Sequence, residues 1–206
     1  NLNIVLILWA CIIGNAANTH QVRTTAATFE DDTIRLTASQ FLDKWLDNPI
    51  RNQAIAVADS AHPYYAYIVL SDGGGARAAT WSALLLSKLE DASNKEFGKH
   101  LFSIAGASGG SVGNTAFYGL LRAEQRATLR RPNDFYHHAS PFFSGDFLTY
   151  TTGRFFGPDF FNYLFPFISI NDRAASLENT FERGSNDSLI ANFFAASLDS
   201  SYDYSG

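Results

Sequence analysis

The chain has 206 residues, of which 15% are aromatic and 17% charged, and its formal net charge is −5. That length suits one domain with a real core, or one domain plus an appendage, and the composition excludes a disordered chain. The acidic balance offers no basic stripe for nucleic acid, and a single cysteine, Cys11, excludes an internal disulfide framework while leaving the redox compartment open.

Ile4 to Gly14 is almost continuously apolar, yet shorter than the roughly 20 residues that a spanning helix needs. The chain opens on Asn1 and contains no methionine, so a start lying further upstream is expected. Residues 1–14 then read as the C-terminal part of a transmembrane helix, with Trp9 near an interface and the protein located in a membrane. A buried helix and a signal-peptide core are the alternatives. Orientation stays open, because the only basic residue soon after the run is Arg23. Residues 15–60 read as a juxtamembrane segment carrying one helix. Thr37 is placed to cap it, Phe41, Leu42, Trp45 and Leu46 give one apolar face, and Asn48-Pro49 stops it. Ile55 to Ala58 reads as a small strand or turn, and His20, which has no partner at useful spacing, as structural.

Residues 61–206 read as the folded domain. Tyr64 to Ser71 and His100 to Ala105 are apolar runs rich in aromatic and β-branched residues, and each is stopped by glycine, the pattern of a buried strand. Between them, Ala78 to Leu89 carries Trp81, Leu84, Leu85 and Lys88 at helical spacing. The expected unit is strand-helix-strand-helix, an α/β arrangement with a mainly parallel sheet, flanking helices and both turns at one sheet edge. The second turn, Gly106-Ala107-Ser108-Gly109-Gly110, contains G-x-S-x-G. Small flanking residues allow a tight strand-to-helix bend that leaves a serine hydroxyl exposed, and the following helix brings amide N–H groups to any oxyanion formed there.

The first turn, Asp72-Gly73-Gly74-Gly75-Ala76-Arg77-Ala78, followed by Gly106-Ala107-Ser108-Gly109-Gly110, resembles the patatin-like phospholipase family over roughly residues 64–121. Asp172-Arg173-Ala174 with Leu177-Glu178 resembles a further family segment. The resemblance implies a three-layer sandwich, here incomplete at its C-terminus, and a membrane-anchored lipid acyl hydrolase of phospholipase A or general esterase type. It implies that Ser108 is the nucleophile, that the loop of Gly73, Gly74 and Gly75 with Arg77 and Gly109 forms the oxyanion hole, and that no cofactor or metal takes part. An aspartate in a later D-G-G or D-G-A turn would complete a Ser-Asp dyad. Asp199 and Asp203 are the last aspartates present and neither precedes glycine, so the dyad aspartate is expected beyond Gly206. The implied partners are a phospholipid or other lipid ester and a membrane.

After Ser108, Val112 to Leu121 continues as a small-residue helix. Arg122, Arg126, Arg130 and Arg131 read as a solvated face rather than a phosphate site, and His137-His138 as non-catalytic, since adjacent residues on a helix point apart. Residues 135–168 are crowded with aromatics and interrupted by glycine and proline, fitting either an acyl-chain groove or a layer folded over the core. Asp172 to Glu182 reads as a helix with Ala174, Leu177 and Phe181 inward, and Leu189 to Phe194 as a second short apolar run. Three other readings compete for the whole. An inactive lipid-binding or scaffolding module keeps the fold without chemistry. A dinucleotide-binding protein would use Gly73, Gly75 and Ala78 as G-x-G-x-x-A, but needs an acid where the next strand ends in Gly106-Ala107-Ser108. A classical α/β-hydrolase needs serine, acid and histidine in that order, and His137 and His138 follow Ser108 too soon.

Overall fold

The computed structural model describes residues 2–16, 36–126, 129, 134–157, 173–183 and 186–196. The first apolar run forms helix α1 (Leu2–Ala16), exposed from Leu2 to Trp9. Among the described residues no helix is long and apolar enough to cross a membrane. Thr37 opens α2 (Ala38–Leu46) through a capping box, its hydroxyl accepting from the Gln40 N–H while the Gln40 side chain accepts from the Thr37 N–H. Trp45 of α2 is buried and meets Phe102 edge-on at 5.3 Å.

Asn48-Pro49 does stop α2, but it also starts another helix, α3 (Pro49–Ala56). The Asn48 carboxamide accepts from the N–H groups of Ile50 and Arg51, and proline suits a first helical position, where its missing N–H has no helical partner to lose. Of the strand or turn expected at Ile55 to Ala58, the turn is what forms: α3 ends at Ala56 and the Ala58 N–H donates to the Ile55 carbonyl at 3.1 Å. Arg51 fastens this helical pair to the body, donating to the carbonyls of Trp45 and Lys99 with its guanidinium 3.7 Å from the Trp45 ring centre.

The central unit has the expected order. β1 (Tyr67–Ser71) leads into α4 (Gly75–Ala92) and α5 (Glu96–His100), then β2 (Leu101–Gly106) and α6 (Gly109–Gln125). The strands are parallel neighbours, with Val69 opposite Ile104 and Ser71 opposite Gly106. Among the described residues these two make up the sheet, in an otherwise mostly helical chain. Tyr64 to Ala66 lie ahead of β1 rather than in it, and His100 closes α5 rather than opening β2.

Among the described residues, four helices follow: α7 (Phe135–Phe143), α8 (Thr149–Phe156), α9 (Arg173–Arg183) and α10 (Ser188–Ala195). The core joins Leu86 of α4, Phe117 and Leu120 of α6, Phe135 and Phe142 of α7, and Ile190 of α10. The face of α4 that enters this core is not the one its largest residues mark. Ala79, Ser82, Ala83 and Leu86 are buried, whereas Trp81 is 70% exposed and Leu85 is exposed beside it. Gly113 of α6 approaches so closely that a Cβ there would lie 2.3 Å from the Ala79 carbonyl oxygen. Helices packed at that distance admit small side chains, so the bulky ones turn outward.

Within the aromatic stretch, Phe135, Phe142 and Phe147 belong to the core, while Tyr150, Phe155 and Phe156 are exposed. Residues 158–172, including Asp172, lie outside the described residues, as do His20, Arg23, Arg130, Arg131, Asp199 and Asp203. On α9, Phe181 packs on the core and Leu177 is half-buried, but Ala174 is exposed, contrary to expectation. The apolar run from Leu189 to Phe194 is α10, capped by Asp187. His138 serves this architecture, with its Nδ1 2.6 Å from Asp187 Oδ2, and His137 is exposed.

Candidate active site

Because Ser71 stands opposite Gly106, β1 and β2 end level, and their turns leave the same edge of the sheet. The Ala107 N–H donates to the Ser71 carbonyl at 3.0 Å, carrying the pairing one residue into the second turn. Ser108 then adopts φ 49° and ψ −122°, a conformation that L-residues avoid. Such a residue is strained by about 1–3 kcal/mol and persists only where its surroundings over-determine it. Here they do: the Gly110 N–H donates to the Ala107 carbonyl at 2.9 Å, the Val112 N–H to the Ser108 carbonyl at 3.3 Å, and α6 begins at once. Ser108 is exposed, and its hydroxyl makes no hydrogen bond among the described residues.

The glycines of both turns are explained by close approach. A Cβ at Gly106 would lie 2.7 Å from the Ser111 nitrogen, one at Gly110 2.5 Å from the Ser71 carbonyl oxygen, and one at Gly109 2.0 Å from the Gly75 carbonyl oxygen. The first turn therefore lies directly on the second. At Gly73 the position of a Cβ is 3.4 Å from Ser108 Cβ, so that stretch runs alongside the serine. Gly75, at φ 62°, turns the chain into α4. Two helices thus start at the serine, α4 at Gly75 and α6 at Gly109, and the first N–H groups of a helix have no carbonyl of their own to bond. Unpartnered amides and positive helix ends together favour negative charge at this spot. Arg77 stands exposed on the first turn of α4 and makes no hydrogen bond or ion pair among the described residues.

A polar clamp absent from the sequence-based reading lies just behind the two turns. Asn114, buried on α6, accepts from the Ser71 hydroxyl at 2.8 Å and donates through Nδ2 to the Ala105 carbonyl at 2.9 Å. Its carboxamide fills the space beside Gly106, where a Cβ would lie 2.9 Å from Nδ2. An asparagine amid small and apolar residues of a helix was the available signal, since buried amides need partners. A cavity of about 220 Å³ opens beside it, lined by Ile104, Gly106, Ser111, Asn114, Thr115 and Tyr118.

The structure thus brings Ser108 together with Gly73, Gly75 and Gly109, and sets Gly74 as the residue that caps α4. Among the described residues no carboxylate or imidazole is hydrogen-bonded to Ser108, and His138 is occupied by Asp187. Nor do the described residues hold a cluster suited to a metal ion. A second cavity, about 530 Å³, lies among α2, α3, β2 and the end of α6, and contains none of the residues at the turns. Compared with known proteins, the chain matches no family model, no curated protein and no solved structure.

Proposed function

We propose that the protein is a serine hydrolase acting on the carboxylic ester bonds of lipids, with Ser108 as its nucleophile. The observation that carries this reading is the strained, exposed Ser108 on a strand-to-helix bend, with the Gly73–Gly75 turn lying against it. Ser108 Oγ bonds to the ester carbonyl carbon as its proton passes to a base. Amides of the glycine turn and the start of α6 hold the resulting oxyanion, each such donor lowering the barrier by about 3 kcal/mol. The alcohol leaves with the proton, and water repeats the sequence on the acyl-serine to release the fatty acid. The resemblance to patatin-like phospholipases supplies the rest of the proposal: an aspartate outside the described residues as base, a three-layer sandwich completing the sheet, and no cofactor. Arg77, exposed on the first turn of α4 and unengaged among the described residues, is then available to a lipid phosphate. Exposed apolar side chains along α1 support a membrane location and a substrate met at a bilayer.

A second reading is a lipid-binding or scaffolding module without activity, favoured by the absence of any base on Ser108 among the described residues. A fluorophosphonate probe separates the two, because Ser108 Oγ displaces fluoride from phosphorus to leave a stable phosphonate ester on the serine. Labelling of the intact protein that vanishes in Ser108→Ala is the expected result. Labelling that is absent, or that survives the substitution, removes the hydrolase reading.

A further inference from the structure

We propose that Asn114 is a positioning residue for the reaction at Ser108, acting through Ser71 and Ala105 to fix the glycine turn against the serine bend; this rests on the reading of Ser108 as nucleophile. Three hydrogen bonds form a closed circuit at the ends of the strands. Ser71 donates its hydroxyl to Asn114 Oδ1 at 2.8 Å, Asn114 Nδ2 donates to the Ala105 carbonyl at 2.9 Å, and the Ala107 N–H returns to the Ser71 carbonyl at 3.0 Å. The three corners that Asn114 joins each lie within three residues of a reacting group. Ser71 stands two residues before Gly73, and Ala105 and Ala107 stand three and one before Ser108.

The sheet's own register sets the two strands side by side as far as Ser71 and Gly106, and the Ala107 N–H on the Ser71 carbonyl carries the pairing one residue further. Beyond that point the turns are held by glycine contacts, which exclude an approach that is too close without drawing the turns together. Asn114 adds an attraction at the strand ends from which both turns spring, through Ser71 and Ala105. Its carboxamide is buried, so exchanging its partners for water is unfavourable, and its donor and acceptor ends are each committed to a different strand. Oxyanion donors act only when held within about 0.5 Å of their productive positions, so a link that sets this spacing governs the rate without touching the substrate.

The experiment uses the intact protein, measuring fluorophosphonate labelling rate and the kcat and KM of a soluble ester. Ser71→Ala removes one corner while leaving the buried amide in place, and is the variant safest for folding. It is expected to lower kcat and the labelling rate about tenfold with KM unchanged and the melting temperature lowered by a few degrees, whereas Ser71→Thr, which keeps the hydroxyl, restores the rates. Asn114→Ala is expected to be at least as slow, and the double variant no slower than Asn114→Ala, because the two side chains act as one link. Wild-type rates in Ser71→Ala, equal losses in Ser71→Ala and Ser71→Thr, or a rise in KM alone would each overturn the proposal while leaving Ser108 as nucleophile. A wild-type protein that is never labelled overturns the nucleophile and the positioning role together.

Discussion

Glu90 shows how one side chain couples this fold to pH. It sits near the end of α4 at 1% exposure, and its Oε2 accepts from the Gly98 N–H at 2.5 Å. Burial pushes its carboxyl from 4.5 up to about 7, with Glu124 and Asp91 adding to the shift and the Gly98 N–H and Lys95 opposing it. A carboxyl whose pKa is higher in the folded state favours folding while it stays protonated. That contribution is complete below pH 4.5 and is lost as pH rises towards about 7. The loss at mildly alkaline pH is on the order of 3 kcal/mol. Glu90→Gln keeps an acceptor for Gly98 and removes the charge. Its melting temperature is expected to exceed that of the wild type near pH 8 and to change less between pH 5 and 8. Parallel melting curves for the two proteins across that range would remove Glu90 as the cause. Nothing in the local sequence marks this glutamate. Its burial follows from Gly98, where a Cβ would lie 2.9 Å from Glu90 Oε1, and from α6 covering both.

At the level of elements, α4 and α6 explain why large apolar residues mislead. Periodicity places a helix at Ala78 to Leu89 correctly, but Trp81 and Leu85, two of the residues that carry that periodicity, lie on its exposed side. The inward face is set by how near α6 comes, and the small residues Ala79, Ser82 and Ala83 allow that approach. Phe117, fully buried on α6, meets Phe97 and Phe135 at 6.0 Å each and so lies at the centre of the packed layer. Phe117→Ala is expected to lower the free energy of unfolding by about 3–5 kcal/mol, and Trp81→Ala by less than about 0.5 kcal/mol, as read from urea denaturation. Comparable losses in the two variants would mean that α4 is packed the other way round. The capping signals fared better, because a cap involves a few neighbouring residues and no distant partner. Thr37 with Gln40 opens α2, and Asn48-Pro49 ends it. The same Asn48-Pro49 pair also opens α3, because a proline that cannot continue one helix suits the first position of the next.

Across the whole molecule, two surfaces stay unpartnered among the described residues. One is α1, exposed from Leu2 to Trp9; the other is the face of β1 carrying Ile68, 62% exposed, and Leu70, 79% exposed. If α1 anchors the protein to lipid, removing residues 2–16 should lower the fraction that sediments with phosphatidylcholine vesicles and leave the melting of the remainder unchanged. Undiminished sedimentation would place the lipid contact elsewhere. The sequence by itself determined the order of strand, glycine turn and helix, repeated twice, together with the candidate nucleophile and the glycines around it. Those features are local: a run of β-branched and aromatic residues, a bend that only small residues permit, and a helix whose first amides face the bend. Only the tertiary structure decided the register that brings Ser71 level with Gly106, the positive φ at Ser108, the inward face of α4 and the clamp through Asn114. Each of these depends on groups far apart in the chain meeting at hydrogen-bonding or van der Waals distance, and neither composition nor spacing encodes such a distance.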